Sequence, residues 1–142
     1  MPQTISYFKI VLHALTGGRV FDGDATSPAG FLKLTTVGRK SGQARTVELV
    51  YIRDGDAYAL AASNGGKPNN PGWLFNLQAH PEVTIEVHGV RQPATAEVAD
   101  PAQRQDLWAR LTQIAPPYKG YETRTPRVIP MVIVRPHGEL VN

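Results

Sequence analysis

The stretch FLKLTTVGRKSGQARTVELVYI, residues 31–52, decides how the chain is read. Its two ends, 31–37 and 46–52, are short runs rich in β-branched and aromatic residues, and between them lies the polar sequence Gly38-Arg39-Lys40-Ser41-Gly42. Runs of that length and composition favour extended backbone, and a glycine-bounded polar turn joins them as a hairpin. Asp54-Gly55 provides a second tight turn, after which 57–61 returns as a third strand. Three consecutive antiparallel strands are expected.

Working outward, Ile5, Phe8, Val11, Leu12 and Leu15 recur at helical spacing and stop at Gly17-Gly18, which predicts a helix over 1–18 followed by a turn-rich connection. Downstream, Asn70-Pro71 has the cap-then-proline order that opens a helix, with Trp73, Leu74 and Leu77 on its apolar side. Val83, Ile85 and Val87 alternate with polar residues over 82–88, a half-buried strand that places His88 on its polar face. Ala94, Ala96 and Val98 alternate again, and Pro93 marks that strand as an edge or a bulge. Asp100-Pro101 caps a helix whose stripe is Leu107, Trp108, Leu111 and Ile114; Pro116-Pro117 ends it, an irregular stretch follows, and 128–134 is an apolar run of strand length. About six strands with three helices, not in strict alternation, disfavour a doubly wound parallel sheet and favour an antiparallel barrel with peripheral helices, an α+β, mainly β class.

A length of 142 residues, 42% of them hydrophobic, fits a single domain over 1–142, with the barrel core at 31–135. Folding at this size hides roughly two thirds of the chain's surface. The absence of cysteine excludes disulfides, zinc-thiolate and iron-sulfur sites and a cysteine nucleophile, so redox chemistry needs a bound cofactor. His13, His80, His88 and His137 show no ligand spacing, and no metal is expected. Gly-x-Ser-x-Gly, the mononucleotide phosphate loop and Gly-x-Gly-x-x-Gly are all missing, which leaves serine hydrolases, P-loop hydrolases and Rossmann dehydrogenases unsupported. No run reaches the roughly 20 apolar residues of a membrane span, and the N-terminus does not read as a signal peptide, so the cytoplasm is expected. A net charge of +3 is too small for a nucleic-acid footprint, but Lys33, Arg39, Lys40 and Arg45 fall within thirteen residues free of acids.

Glycines that let backbone N–H groups converge, the Ser41 hydroxyl, and the guanidinium groups of Arg39 and Arg45 make the basic turn chemically an oxyanion cradle; a solvated hairpin turn is the alternative. Ser63-Asn64-Gly65-Gly66-Lys67 is a second donor-rich loop, read either as the other half of an anion clamp or as an ordinary connection. Trp73 and Trp108 fall on helical apolar stripes and read as core, whereas Tyr118 and Tyr121 follow two prolines and read as pocket-facing or loop-packing rings.

Taken in order, Leu34-Thr35-Thr36-Val37-Gly38-Arg39-Lys40-Ser41-Gly42 with Arg45, Arg53-Asp54-Gly55-Asp56, Ala62-Ser63-Asn64-Gly65-Gly66, Asn70-Pro71-Gly72-Trp73 with Asn76-Leu77, and Pro116-Pro117-Tyr118 with Tyr121 resemble the deazaflavin-dependent nitroreductases and quinone reductases that use reduced coenzyme F-420. The resemblance covers residues 31–134 and implies a split β-barrel of the flavin-reductase-like kind. It implies hydride delivery from the deazaflavin to a quinone, nitroaromatic or other electron-poor acceptor. Arg39, Lys40, Ser41 and Arg45 would hold the coenzyme's phosphate and glutamate-rich tail, with Thr36, Gly38, Gly42, Asn70 and Trp73 also on the cofactor side. Ala62, Ser63, Asn64, Gly65, Gly66 and Lys67 would contact the coenzyme nearer its ring. Tyr118, Tyr121, Tyr51 and Ser63 match positions lining the acceptor side, where a hydroxyl positions the acceptor or donates a proton. Arg124 stands where some nitroimidazole-reducing relatives carry an aromatic residue, which bears on substrate choice more than on cofactor binding.

Two other functions fit such a barrel: a non-catalytic protein that sequesters a cofactor or lipid-like molecule, and a reductase using FMN or FAD. No nucleic-acid partner is expected. The first helix is expected to pack on the barrel; its apolar side is also the segment that a transient contact with the inner face of the cell membrane would use, and a homodimer is a further arrangement open to the chain.

Overall fold

The computed structural model describes residues 27–137, and the helix expected over 1–18 lies outside them. Six strands, β1 (Ala29–Val37), β2 (Ala44–Asp54), β3 (Ala57–Ala61), β4 (Glu82–Val87), β5 (Val90–Val98) and β6 (Met131–Pro136), are joined with three helices, α1 (Gly72–Ala79), α2 (Pro101–Ile114) and α3 (Lys119–Arg124). All strand pairs are antiparallel and the sheet closes in the order β1-β2-β3-β6-β5-β4. The first hairpin is the longest ladder, with nine residue pairs from Ala29↔Ile52 to Val37↔Ala44. The barrel closes over only three, Lys33↔Glu86, Leu34↔Ile85 and Thr35↔Thr84.

Strand alternation sorts the apolar side chains into two cores. Leu32, Leu34, Tyr51, Leu60, Ile85 and Val132 fill the barrel interior, where α1 contributes Trp73, Leu74 and Leu77. Val50, Ile52, Ala59 and Ile133 point outward and are covered by Leu107, Trp108 and Leu111 of α2 and by Tyr118 and Tyr121. Each fully buried side chain of this kind contributes about 1.5–3 kcal/mol. Helix α2 begins as expected: Asp100 accepts from the Gln103 N–H at 2.8 Å, and the Gln103 side chain accepts from the Asp100 N–H at 3.1 Å, a reciprocal capping box.

Five expectations need correction. Pro93 lies in a strand paired on both sides, with Thr84 opposite it in β4; it is neither an edge nor a bulge residue, and its strand begins at Val90. Its carbonyl accepts from the His137 N–H at the end of β6, so the donor it lacks falls where that ladder runs out. The last strand starts at Met131 and not at 128: Val128 is 72% exposed, and the carbonyls of Ile129 and Pro130 are held by Arg104 and the Ala62 N–H. Asn70 does not cap α1, because its side-chain oxygen accepts from Arg127 at 2.6 Å and Pro71 stands at the cap position. Residues 116–124 are regular, a 3-10 turn at Pro116–Tyr118 running into α3, and only 125–130 stay irregular. His88 also leaves the face of β4 for the turn behind it, where its φ is 52°.

Candidate functional site

The turn between β1 and β2 is closed by its own backbone. The Gly38 N–H donates to Gln43 at 2.7 Å, the Gly42 N–H to Gly38 at 2.8 Å, and the Gln43 N–H to the Ser41 hydroxyl oxygen at 3.1 Å. That last bond uses Ser41 as an acceptor and leaves its O–H to donate. Arg39 is then fixed from helix α1: its backbone N–H and its guanidinium both donate to Asn76 Oδ1, at 3.1 and 2.9 Å. Asn76 is oriented in turn by donating to the buried Thr36 hydroxyl at 3.2 Å. The guanidinium also lies 5.2 Å from the Phe75 ring centre. Arg39, Lys40, Ser41 and Arg45 thereby surround a hollow of about 190 Å³ lined by no acidic residue. Three cations and a hydroxyl facing one small hollow suit a phosphate or carboxylate.

A larger cleft of about 620 Å³ lies on the outer face of the barrel. Its floor is Phe31, Glu48 and Val50 of β1 and β2, one wall is Ser63, Asn64, Gly65 and Lys67, and another is Tyr118 with Tyr121. Pro71 and Trp73 complete it. The two tyrosines are three residues, about one helical turn, apart and stack edge to face, with ring centres 5.3 Å apart. Burial pushes the Tyr118 phenol well above the usual tyrosine range, with Tyr121 adding to the effect. Burial also raises Tyr121, against the opposing pull of the Arg124 cation. Both phenols, protonated at neutral pH like any tyrosine, thus hold their protons further into the alkaline range.

The wall formed by residues 62–70 is held from behind. Arg127 donates to the carbonyls of Lys67 at 3.1 Å, Ala62 at 3.3 Å and Ser63 at 2.9 Å, and to the Asn70 side chain at 2.6 Å. Gly66 has a φ of +80°, and a Cβ there would come within 3.2 Å of Tyr121 Cδ1 and 3.3 Å of Arg124 Cδ. Only glycine allows that conformation and that approach without strain.

Hollow and cleft flank the start of α1. Gly72 and Asn76 meet Arg39 on one side, and Pro71 and Trp73 line the cleft on the other. The arrangement suits a long molecule with an anionic end and a planar end. A deazaflavin with a phosphorylated, glutamate-rich tail fits the donor set on both counts.

Of the expected site residues, the structure gathers Gly38, Arg39, Lys40, Ser41 and Arg45 at the hollow, and Ser63, Asn64, Gly65, Lys67, Trp73, Tyr118 and Tyr121 at the cleft. Thr36, Gly42, Ala62, Gly66 and Asn70 support these walls without lining them in the same way. Tyr51 is elsewhere. It is 1% exposed in the barrel interior, stacked 4.9 Å from Tyr58 with its hydroxyl 3.3 Å from His88 Nε2. From β2 the cleft takes the consecutive residues Glu48, Leu49 and Val50 instead. Arg127, between Pro126 and Pro130, stands in no sequence pattern that marks it, and Asn76 falls in a motif that assigns it no role.

A closed barrel carrying a cationic turn and an aromatic cleft on one helix start defines the class: a split-barrel reductase of the flavin-reductase-like fold. The chain belongs to the F420H(2)-dependent quinone reductase family, whose model matches residues 14–136. It is 43% identical over 124 residues to an F420H(2)-dependent quinone reductase of Mycobacterium tuberculosis, covering 84% of this chain and 81% of the relative. Among solved structures it is similar to an F420-H2 dependent reductase, FDR-A, at 37% identity with a TM-score of 0.68, over 74% of this chain and 93% of that one. A structure described as a domain-swapped dimer matches at 35% identity with a TM-score of 0.69, over 90% of this chain and 92% of that one.

Proposed function

We propose the following division of labour for an oxidoreductase that transfers hydride from reduced coenzyme F-420 to a quinone. The observation that carries it is the common placement of the cationic hollow and the aromatic cleft on either side of the first turn of α1. Arg39, Lys40 and Arg45 bind the phosphate and the carboxylates of the tail, and the Ser41 O–H adds a neutral donor. Asn76 keeps the Arg39 fork aimed at them. The wall at Ser63, Asn64, Gly65 and Lys67, with Pro71 and Trp73, receives the planar end. When bound, the reduced deazaflavin supplies the hydride, so no side chain acts as nucleophile.

Tyr118 and Tyr121 face the acceptor. Their hydroxyls are protonated at neutral pH as ordinary tyrosines are, burial raising both further, and they donate hydrogen bonds to a carbonyl oxygen on which negative charge develops. Phe31, Val50 and Trp73 make the cleft apolar enough to exclude water and hold a flat ring. Nitroaromatics fit the same cleft and are secondary acceptors in this reading.

Titrating the pure protein with coenzyme F-420, FMN and FAD tests the assignment, followed by turnover of menadione. Micromolar or tighter binding of the deazaflavin alone is expected, with menadione-dependent oxidation of its reduced form. Preference for FMN sinks the cofactor assignment, and saturable binding without acceptor-dependent oxidation makes the protein a sequestering one.

Among the described residues no helix is long and apolar enough to cross a membrane. We place the protein in the cytoplasm; light scattering checks for a homodimer, and vesicle co-sedimentation for the alternative of a transient contact with the inner membrane surface. A monomer, or a protein that stays in the supernatant, removes the corresponding part.

A further inference from the structure

We propose that Arg127 is a positioning residue of the active site, whose guanidinium fixes the 62–70 wall of the cleft against the tyrosine wall. A planar fork with donors pointing in several directions is needed to do this. Nε reaches Lys67, Nη1 reaches both Ala62 and Asn70, and Nη2 reaches Ser63, so three nitrogens tie down residues spread over nine positions. Three of the four acceptors are backbone carbonyls. Their engagement behind the loop turns residues 63–65 toward the cleft, and four residues of that loop, Ser63, Asn64, Gly65 and Lys67, line it.

The anchor is attached to the opposite wall. Arg127 lies three residues after Arg124, which packs on Gly66 and lies over the Tyr121 ring at 5.6 Å, and three before Pro130, whose carbonyl accepts the Ala62 N–H at 2.9 Å. Residues 121–130 therefore run from the tyrosine wall to the loop wall, with Arg127 as the rivet. Among the described residues no carboxylate lies within ion-pair distance of this half-buried cation. The carbonyl dipoles of the loop compensate its charge, so the loop's shape and the guanidinium's burial depend on each other. Lysine retains the charge, but its single ammonium cannot span carbonyls on both sides of the loop.

This inference rests on the functional reading above, and its test separates the two. Arg127→Lys, Arg127→Ala and Asn70→Ala are compared with wild type in menadione reduction by reduced coenzyme F-420, together with amide hydrogen exchange of the ligand-free proteins. The Gly66 and Lys67 amides, bonded to Ser63 and Asn64, report the loop's order whatever the protein catalyses. Both Arg127 variants are expected to lose at least about tenfold in kcat/KM, since misplacing a wall by an ångström can cost about a hundredfold. Asn70→Ala, which removes one of four bonds, should lose less. About 20 mM guanidinium chloride, far below denaturing concentrations of several molar, should partly restore Arg127→Ala and leave wild type unchanged. Exchange at Gly66 and Lys67 should accelerate in both Arg127 variants while the β1–β2 ladder stays protected. Wild-type kcat/KM in Arg127→Lys, or unchanged exchange at Gly66 and Lys67 in Arg127→Ala, overturns the proposal. If wild type itself fails to reduce menadione, the functional reading falls and the exchange data alone decide the role of Arg127.

Discussion

Arg39 is gripped twice by one oxygen, Asn76 Oδ1, while the Asn76 amide is held by Thr36. Such a chain leaves the guanidinium pre-oriented, so a ligand need not pay for ordering it. Charge-assisted bonds contribute about 1.5–3 kcal/mol each, and about 1.4 kcal/mol is tenfold in affinity. Arg39→Ala with Lys40→Ala should therefore weaken coenzyme F-420 binding by at least about tenfold by isothermal titration. Both residues are exposed, so Tm should fall by no more than about 4 °C. Tyr118 gives a pH prediction. Its phenol binds its proton more tightly folded than unfolded, so its contribution to stability is complete below the unfolded value of about 10 and is lost as pH rises above it. Thermal melts from pH 8 to 11 should show a steeper alkaline fall for wild type than for Tyr118→Phe. Parallel slopes would mean that the ring is more hydrated than its 5% exposure implies.

At the level of elements, legibility followed periodicity. The first hairpin and α2 could be read because turn chemistry, alternation and a capping box all agreed, and α2 starts at the proline that was expected to open it. Asp100→Ala should thus cost about 1 kcal/mol in thermal denaturation through loss of that cap, with coenzyme affinity unchanged. A weakened coenzyme affinity would instead tie the cap to the site. The role of Tyr51 was not legible, because β2 is apolar on both faces: Val50 and Tyr51 are neighbours and both are buried. Alternation cannot say which of two buried faces meets a cleft. Gly30 settles the matter in the fold, since it is paired with Tyr51, and a Cβ there would lie 2.8 Å from the Tyr51 hydroxyl. Helix α3 has six residues, too few to establish a period, so Tyr121, and Tyr118 in the 3-10 turn before it, read as residues of an irregular segment. The contiguous apolar run before β6 likewise gave no start point, because Ile129 is buried against the helices and not in the ladder.

For the whole molecule, the unequal ladders set where the barrel opens. Nine pairs hold β1 to β2 but three hold β1 to β4, and Leu34 and Ile85, both fully buried, face each other at that seam. Ile85→Ala should cost about 2–5 kcal/mol by removing interior packing that the narrow ladder cannot replace. Native-state hydrogen exchange should show the amides of residues 84–86 opening before those of 46–52. Equal protection would indicate that the barrel opens only as a unit. Closure itself was expected from the run of hairpins, but the mutual attachment of the two site walls was not, since it depends on side-chain to backbone bonds spanning more than fifty residues.

All three scales meet in the claim that one small barrel holds a deazaflavin by its anionic end and offers its ring to a quinone. The most direct test is anaerobic mixing of the protein with reduced coenzyme F-420, followed by menadione, while the absorbance of the oxidised deazaflavin is recorded. Rapid oxidation that requires protein, coenzyme and menadione together, and is at least about tenfold less efficient in the Arg39→Ala, Lys40→Ala variant at limiting coenzyme, is the predicted result. Bound reduced coenzyme that stays reduced when menadione is added would contradict it.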